Sequence, residues 1–528
     1  MRTRAGWIVY VLALLLLGGW MLNGRDGLRS ETYSAWSWYH YWFGSKYHQE
    51  LGYFDIYNQT LPAWKDARMR LGRDVTAIRG LHTYKVVKVE AGQDPCVRNP
   101  LWTDARWAEF QADLKKMRRG MGRRTWSHAV LDRGYNASPT WTVLAGAGFS
   151  QLDLGEPATR TLLKAVDIVP VFLLALALPF AFGPWRSLAC MAAFLAMPPN
   201  PYRFLGSLVQ YDWFVLVMAA ALALRRDRHG LAGALLGIAT MFRVFPVVFF
   251  LGVAARGVLS WMTDRRRPSW LARLAAGFGI AVVAGALVGS AGPRGLDAWG
   301  EWTEKMEVHT HFHKRGDGRV GLTHLFTDPA PPWTSPERPS LGQRMRNLEA
   351  SKGPRLALQG ALLLLLVAAA WRRDPFDCFV LALGALFVGT VASRYYWSVL
   401  GLLPLLGSRR GDARLGWLGV VWAAVPMLAW YGGLDELDDN WARWRSLNAV
   451  FLGVFTLGMA AVAWDNLFGS RGTAGSATEP DADLREGAPH EEPAQVAGLA
   501  DDPHGQGAGG GEVEAEAPDD AAEDPLPL

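Results

Sequence analysis

Cysteine and charge are scarce in this sequence. Its 528 residues include only three cysteines, and no two of them are spaced as Cys-x-x-Cys. The sequence therefore supports neither a disulfide framework nor a structural zinc site. Charged residues make up only 20% of the chain, whereas hydrophobic residues make up 50%. Because the apolar residues fall in long runs, the sequence excludes an ordinary soluble enzyme and a coiled coil.

The apolar runs are about 15–20 residues long, which is the length a helix needs to cross the hydrocarbon core of a membrane. The first run follows Arg2 and Arg4 but is not followed by a signal-peptide cleavage site, so we predict an uncleaved first helix. The predicted fold is an all-α, polytopic membrane helical bundle of about twelve spans. The predicted spans are 7–22, 162–182, 186–199, 209–224, 230–242, 244–262, 270–290, 355–371, 376–393, 396–407, 414–431 and 447–464.

One pair of runs, 230–242 and 244–262, could also form a single helix. Basic residues are enriched on the cytoplasmic side of a membrane, so the Arg-rich connectors test the two alternatives. If the chain breaks near Arg243 and Pro246, all of these connectors fall on the same side. We therefore predict a broken hairpin in a multi-pass protein of a bacterial plasma membrane, with both termini cytoplasmic. The connectors contain Arg186, 225–228, 265–267, 372–373 and 409–410.

This topology predicts two domains. Residues 1–465 form the membrane domain, with outer loops at about 23–160 and 292–354, and residues 466–528 form an acidic, disordered cytoplasmic tail. Within the first outer loop, 33–51 is rich in Trp and Tyr. Aromatic side chains of this kind favour the headgroup layer, so we predict an amphipathic helix lying in the interface.

The net charge of +5 conceals an uneven distribution. Residues 470–528 contain 15 Asp and Glu but only 2 Arg, so the rest of the chain is strongly basic. The basic residues stand beside apolar runs, where they orient helices in the membrane. We therefore expect membrane lipids as partners and no nucleic acid.

Two arginines are candidates for binding a phosphate. Arg243 lies between apolar runs in Met-Phe-Arg-Val-Phe-Pro, where a guanidinium needs an anionic partner, water or the membrane boundary. Its fork-shaped group suits the phosphate of a lipid. Arg394 lies at a second boundary beside Tyr395, whose ring could stack on a sugar. The alternative for both sites is an interfacial arginine that reaches toward the headgroups.

Four residues near the aromatic segment could remove a proton from an acceptor hydroxyl. They are the acids Glu31, Glu50 and Asp55 and the imidazole of His40. Each could equally be an ordinary surface or structural residue.

The second outer loop contains an alternating set of histidines, His309, His311 and His313. Alternation would place them on one side of a strand, where they could bind a metal. No nearby spacing completes a four-ligand set, so we assign no metal ligand. His309 remains a candidate for contact with a polar ligand.

The overall layout resembles the GT-C superfamily of integral-membrane glycosyltransferases. An inside N-terminus, one helix, a large outer loop and about ten further spans are typical of that superfamily. The stretch Tyr-His-Tyr-Trp-Phe-Gly-Ser-Lys-Tyr-His-Gln-Glu-Leu-Gly-Tyr-Phe-Asp-Ile-Tyr at 39–57 is similar to the pattern after the first helix of its polyprenyl-phosphate-sugar-dependent members. So is an arginine shortly before a proline, here Arg243 and Pro246.

This resemblance implies an inverting transfer of a sugar from a polyprenyl-phosphate carrier to a glycan or lipid acceptor at the outer face. It implies no cofactor besides the lipid-linked donor, and it leaves a divalent metal open. The family's acid would lie at Ser37, so the base is expected elsewhere, at one of the candidate residues. A polytopic transporter or flippase, and a non-catalytic polysaccharide-assembly protein, are the alternative functions.

Overall fold

The structure is a computed structural model of the full chain. It describes residues 2–67, 75–89, 97–120, 123–197, 205–208, 211–265, 268–313, 319–333, 338–434 and 440–468. The chain divides into two units at Gly469 and Ser470. The second unit, which is most of the predicted tail, lies outside the described residues, as do Cys96 and part of the connector 265–267.

Helices make up most of the described chain. They are Arg2–Asn23, Ala35–Lys46, His48–Leu51, Ile56–Asp66, Asp104–Gly120, Arg123–Ala129, Pro139–Phe149, Pro157–Ala177, Pro179–Phe182, Pro184–Ala196, Asp212–Arg225, His229–Phe242, Val247–Asp264, Ser269–Ser290, Asp297–His313, Leu322–Leu325, Leu341–Ala350, Lys352–Ala370, Pro375–Leu381, Leu383–Gly389, Ala413–Tyr431 and Asn440–Phe468. A 3-10 helix spans Arg394–Leu405.

The described part also contains two small antiparallel sheets. Strand Ala77–Arg79 pairs with Val86–Lys88, and Arg319–Val320 pairs with Ala392–Ser393. The second pairing joins the second predicted outer loop to the chain just before Tyr395.

Six helices in the described residues are long and apolar enough to cross a membrane. They are Arg4–Asn23, Pro157–Phe182, Ser269–Ser290, Lys352–Ala370, Ala413–Tyr431 and Trp441–Phe468. The protein is therefore an integral membrane protein by its helix content, but twelve full spans are not what the structure contains. In the described residues the other six predicted spans correspond to shorter helical pieces: Pro184–Ala196, Asp212–Arg225, His229–Phe242, Val247–Asp264, the pair Pro375–Leu381 and Leu383–Gly389, and the 3-10 helix Arg394–Leu405. Pro184 and Pro375 each begin a helix, and Pro246 directly precedes one.

The long helices expose large apolar side chains. Leu16 in the first helix is 76% exposed, and Ile280 in Ser269–Ser290 is 70% exposed. Such surfaces are unfavourable in water and are stable where lipid tails cover them. The outer surface of these helices is therefore suited to a bilayer.

The predicted break at Arg243 is confirmed. Helix His229–Phe242 ends there, Arg243 has an extended backbone with φ −144° and ψ 123°, and the next helix begins at Val247 after Pro246. Proline has no backbone N–H and its ring crowds the preceding turn, which favours a break between the two apolar runs at this point. The break places a guanidinium at a helix end rather than on a helix face.

Glycines allow the first leg of this hairpin to pack directly on helix Ser269–Ser290. A Cβ on Gly233 would collide with the carbonyl of Leu274, and a Cβ on Gly277 would collide with the carbonyl of Gly230. Small residues at such a contact let two backbones approach closely, which is how helices associate where lipid removes the hydrophobic driving force.

We expect Gly277→Leu to destabilise the protein by about 2 kcal/mol or more, because the added side chain must force the two helices apart. Thermal unfolding of the detergent-purified protein measures the loss. Gly279→Leu is the matched control, since Gly279 lies on the same helix and has nothing within 4 Å of its Cβ position. Equal melting temperatures for both variants would contradict the close backbone contact.

The predicted outer loop 23–160 folds around its own aromatic core, which includes Trp38, Trp42, Phe43, Tyr47 and Phe110. The helix Ala35–Lys46 runs through this core and buries all of its side chains except Trp36 and Tyr41, which are half-buried. The prediction of an amphipathic helix in the membrane interface is therefore wrong. Its aromatic residues fill a protein core instead of a headgroup layer.

The Arg-rich connectors that the structure describes lie close to one another. Arg409 pairs with Asp227 at 2.5 Å, Arg373 pairs with Asp412 at 3.6 Å, and Arg410 lies 3.6 Å from Asp374. These contacts join three connectors at one end of the bundle, as the broken-hairpin topology requires.

Candidate functional site

Arg243 lies where the broken hairpin meets the aromatic core of the 23–160 segment. Its Nη2 lies 3.4 Å from the Tyr41 hydroxyl, and its guanidinium lies 5.3 Å from the centre of the Tyr41 ring. Tyr41 in turn donates a hydrogen bond to Asn136 Oδ1 at 2.9 Å. Burial raises the pKa of Tyr41, and the nearby Arg243 charge partly opposes this. The arginine is thus held by a side chain 202 positions away in sequence.

Two further tyrosines join this arrangement from the 3-10 helix Arg394–Leu405. Tyr395 and Tyr396 both act electrostatically on Arg243. Their hydroxyl oxygens are 3.4 Å apart, and Tyr396 packs on Phe245 with 4.0 Å between ring centres. Of the predicted donor-binding residues, the structure therefore brings Arg243 and Tyr395 together.

Asp212, at the start of helix Asp212–Arg225, is the carboxylate whose charge acts on Arg243. Its Oδ1 accepts a hydrogen bond from the Trp213 backbone N–H at 2.8 Å. The Trp213 ring packs against Phe245, which is two residues from Arg243. An anionic side chain at a helix N-terminus is stabilised by the helix dipole, so this carboxylate is well placed to balance the guanidinium.

The loop before helix Pro139–Phe149 fixes the hairpin to the outer segment. Ser138 caps that helix by accepting a hydrogen bond from the Trp141 N–H, as its Ser-Pro sequence predicts, and it donates to the carbonyl of Met241. Thr140 donates to the carbonyl of Gly285 at 2.8 Å. These bonds position the end of helix His229–Phe242, and with it Arg243.

A second carboxylate, Asp132, lies near the start of helix Ala35–Lys46, where it contacts Trp36. Its Oδ2 accepts a hydrogen bond from the Trp36 indole N–H at 3.1 Å. Its charge acts on Tyr41, on Tyr84 and on the amine of Lys305. Trp36 and Tyr41, the two half-buried side chains of this helix, thus contact Asp132 and Arg243 respectively. The helix therefore sets the spacing between a carboxylate and a guanidinium.

Lys305 is a fully buried amine that interacts electrostatically with this carboxylate. Its Nζ has no hydrogen-bond partner among the described residues and lies 4.9 Å from the Tyr84 ring centre. Burial lowers the pKa of Lys305 to about 7, although Asp132 opposes the shift. One turn later on the same helix, His309 Nδ1 lies 3.0 Å from the Tyr84 hydroxyl. Burial, together with a positive field that includes Arg243, lowers the pKa of His309.

We expect Lys305→Met to stabilise the protein more at low pH than at high pH. The unfolded chain binds the lysine proton up to its ordinary pKa near 10.4, whereas the folded chain releases it near 7. Burying the charge therefore costs most below about pH 7, and the cost shrinks as the pH rises toward about 10.

The advantage of the Met variant should fall by about 2 kcal/mol between about pH 6 and about pH 9. Thermal unfolding at the two pH values measures it. Lys85→Met is the control, because Lys85 is exposed and belongs to the same outer region. A pH-independent difference between wild type and Lys305→Met would contradict a buried, deprotonating amine.

The three acids predicted from sequence make other contacts. Glu31 is exposed and pairs with Arg160 at 2.8 Å. Glu50 is buried and pairs with Arg106 at 2.8 Å. Asp55 is half-buried and accepts a hydrogen bond from the Asn58 side chain at 3.1 Å. Whether any of them acts as a base stays a prediction.

His40 is enclosed in the aromatic core. Nδ1 lies 2.8 Å from the Trp36 carbonyl, so Nδ1 carries the proton and Nε2 accepts from the Tyr57 hydroxyl at 2.7 Å. Burial lowers the pKa of His40, which keeps the ring neutral. Since both ring nitrogens are occupied, neither is left to take a proton from an acceptor.

Ser37 is a structural residue. Its hydroxyl donates to the Leu208 carbonyl at 2.9 Å and accepts from the Leu208 N–H at 3.0 Å. It thereby ties helix Ala35–Lys46 to the chain before helix Asp212–Arg225.

The histidine-rich loop forms a helix, Asp297–His313, rather than the strand that its alternation predicted. In a helix, residues two apart point to different sides, so His309 is half-buried while His311 is exposed. The side chains of His313 and Arg394 lie outside the described part of the structure.

Asp132, Lys305 and Asp212 are not among the site residues predicted from the sequence. Asp132 is next to Arg133 in a turn-rich segment, and Lys305 is one of several charged residues in its loop. Nothing in their spacing distinguishes them from surface residues. Only burial and tertiary neighbours reveal them.

In comparisons with known protein families, with curated proteins and with solved structures, no match to this chain was found.

Proposed function

We propose that the protein is a membrane glycosyltransferase of the GT-C type. It would move a sugar from a polyprenyl-phosphate carrier to a glycan or lipid acceptor. The observation that supports this best is the position of Arg243, at the break between two apolar helices and against Tyr41 of the outer segment. A guanidinium at this junction is accessible to a headgroup phosphate whose lipid tail remains among the apolar helices.

The proposed reaction displaces the phosphate from the anomeric carbon. The acceptor oxygen attacks that carbon, the bond between carbon and phosphate oxygen breaks, and the polyprenyl phosphate leaves. Negative charge grows on the leaving phosphate, and a preorganised cation in a poorly solvated site stabilises it strongly. In the resting protein Asp212 is the carboxylate whose charge acts on Arg243, and the Tyr41 hydroxyl accepts a hydrogen bond from the guanidinium; the incoming phosphate becomes its counter-charge.

Asp132 is the carboxylate that we assign as general base in this proposal. It belongs to the outer segment and accepts a hydrogen bond from Trp36 of helix Ala35–Lys46, the helix whose Tyr41 contacts Arg243. The acceptor proton passes to its carboxylate as the acceptor oxygen attacks. The Trp36 indole orients this carboxylate. Lys305, whose buried amine interacts electrostatically with Asp132, supplies a second group that can exchange a proton.

We also propose an orientation of the protein in the membrane. Both termini are cytoplasmic, and the 23–160 segment faces the outside of a bacterial plasma membrane. The end of the bundle that carries the clustered arginines would then be cytoplasmic, in accordance with the positive-inside rule. Cysteines introduced singly at exposed positions and labelled from one side of intact cells test the orientation.

The function is tested with polyprenyl phosphate carrying a radiolabelled sugar, added to membranes with and without the protein. Label that moves to a glycan or lipid product only when the protein is present supports the proposal. Labelled lipid that crosses the bilayer unchanged would instead indicate a flippase. If the labelled donor behaved in the same way with and without the protein, the result would contradict an enzyme for this donor class.

A further inference from the structure

A groove of about 140 Å³ runs along helix Val247–Asp264 on the outside of the bundle, facing helix Lys352–Ala370 and the segment Pro375–Gly389. All of its described lining residues are aliphatic or glycine except Arg256 and Cys378. Leu251 and Val367 line it and are 54% and 44% exposed, so the groove is open to the surroundings of the bundle. Where lipid surrounds the bundle, an apolar groove of this kind is filled by hydrocarbon.

Close helix packing forms the floor of this groove. A Cβ on Gly252 would collide with the Cβ of Ala382, so the helix Val247–Asp264 approaches the neighbouring segment closely at this point. Val248 and Leu259, which both line the groove, are 11 positions apart on that helix. This separation corresponds to roughly 16 Å, or about half of the hydrocarbon core of a bilayer. The groove therefore has the length that one acyl chain of a single leaflet occupies.

A second pocket, of about 150 Å³, continues the groove at its Arg256 end. Arg256 and Leu259 line both cavities. The remaining described lining residues of this basic pocket are polar or aromatic: Ser260, Thr263, Trp371 and Arg372. The groove and the basic pocket together thus join an apolar surface to two guanidinium groups.

The positive charge of the basic pocket is not balanced by the described part of the chain. No described carboxylate lines it, and neither Arg256 nor Arg372 forms an ion pair with a described acid. Acids at this end of the bundle pair instead with Arg373, Arg409 and Arg410. Arg256 Nε donates to the Arg373 carbonyl at 2.6 Å, and no described residue accepts from its terminal nitrogens. The pocket is therefore complementary to an anion.

The two cavities together require an amphipathic occupant with a negative head. Guanidinium groups bind phosphate oxygens well, and basic pockets between membrane helices are suited to phospholipid headgroups. Trp371, at the border between groove and pocket, is a residue type that favours the headgroup level of a membrane. A zwitterionic headgroup would bring its own ammonium group close to the two unpaired guanidinium groups, so a headgroup with net negative charge fits better.

We propose that this site binds one phospholipid with an anionic headgroup, with its phosphate on Arg256 and Arg372 and one acyl chain in the groove. Neither Arg243 nor Asp132 lines either cavity. The inference therefore goes beyond the proposed function and does not depend on sugar transfer.

Native mass spectrometry of the detergent-purified full chain tests the site, with dioleoyl phosphatidylglycerol and dioleoyl phosphatidylcholine as probes. The two lipids have the same acyl chains and differ in the net charge of the headgroup. Wild type should bind phosphatidylglycerol at least about tenfold more tightly than phosphatidylcholine. Equal affinity for the two lipids would overturn the inference without reference to any variant.

A double variant, Arg256→Gln with Arg372→Asn, removes both charges. Glutamine keeps an N–H that can donate to the Arg373 carbonyl, and asparagine tolerates the positive φ of 61° at position 372. This variant should bind the two lipids with similar affinity. Arg226→Gln is the matched control, because Arg226 is an exposed arginine of another connector and lines neither cavity, so it should keep the wild-type preference. A double variant that kept that preference would overturn the role of the two arginines.

Ala255→Phe tests the groove, because Ala255 is exposed and a ring at this position would occupy the space of the acyl chain. It should weaken binding of phosphatidylglycerol at least about tenfold. Val258→Phe is the control, since Val258 is exposed on the same helix but does not line the groove. Equal binding by Ala255→Phe and wild type would contradict a bound acyl chain. Glycerol 3-phosphate has the phosphate but no chains and should not displace the lipid; displacement would assign the pocket to a soluble phosphate ester and overturn the inference.

Discussion

Arg243→Ala is expected to reduce sugar transfer at least about 100-fold while the protein remains folded in the membrane. The arginine is the cation at the helix break, and no other described cation contacts Tyr41 there. Without it, the leaving phosphate loses its fixed counter-charge at the moment when negative charge grows. Turnover of the radiolabelled donor in membranes, normalised to protein level, measures the loss.

Arg243→Lys separates the contribution of the positive charge from that of the planar guanidinium, which can bind two phosphate oxygens. Lysine keeps the positive charge but cannot bind two phosphate oxygens in a plane, so transfer should remain well below wild type but above the alanine variant. Arg414→Ala is the matched control, since Arg414 is an exposed arginine at another helix end. If Arg243→Ala transferred sugar at a rate within about twofold of wild type, the guanidinium would have no role in the transition state.

A lower protein level in the Arg243→Ala variant would also reduce transfer, and the structure indicates how to separate the two effects. Arg243 contributes to the site through Tyr41, Tyr395, Tyr396 and Asp212. Removing the cation leaves Asp212 without its balancing charge, which is costly in a buried place. A second variant, Arg243→Ala with Asp212→Asn, removes both charges. It should recover protein level without recovering transfer.

The features that the sequence predicted well are those that depend on local chemistry. Arginine followed three residues later by proline predicts a helix end, and the chain does break at Arg243 and Pro246. The relevant atoms are neighbours along the chain, so their interaction does not depend on the rest of the fold.

The number of spans was harder to predict because apolar composition does not determine helix length. The runs 376–393 and 396–407 are mostly apolar, but the structure divides the first after Leu381 and gives the second a 3-10 helix. Both are buried by neighbouring helices rather than by lipid. A core segment inside a bundle and a lipid-facing span are equally apolar, so hydropathy alone cannot separate them.

The site residues were also hard to predict, because the sequence does not show which distant residues the fold brings together. The acids chosen from sequence were those nearest to the aromatic helix along the chain, Glu31, Glu50 and Asp55. The fold instead brings Asp132 to that helix, 96 positions after Trp36. Contacts over such separations depend on tertiary packing, which short motifs do not encode.

Asp132→Asn is the second large effect that we expect, with transfer reduced about 100-fold or more because general-base assistance is lost. Asparagine has the same shape and keeps an oxygen that can accept the Trp36 N–H, so the local structure should survive. Asp153→Asn is the control: Asp153 is half-exposed, lies in the same outer segment and pairs with Lys116.

The competing candidates make this test decisive. Asp55→Asn and Glu31→Gln should transfer sugar at rates close to wild type, because Asp55 contacts Asn58 and Glu31 contacts Arg160 at the exposed surface. If Asp132→Asn kept its activity while Asp55→Asn lost it, the base would be the acid expected from the sequence. The Asp132 and Lys305 cluster would then be structural, and Lys305→Met would change stability without changing transfer. If Asp132→Asn alone lost activity, Asp132 would be the base. Helix Ala35–Lys46, which contacts Asp132 through Trp36 and Arg243 through Tyr41, would then set the spacing between the base and the phosphate-binding arginine.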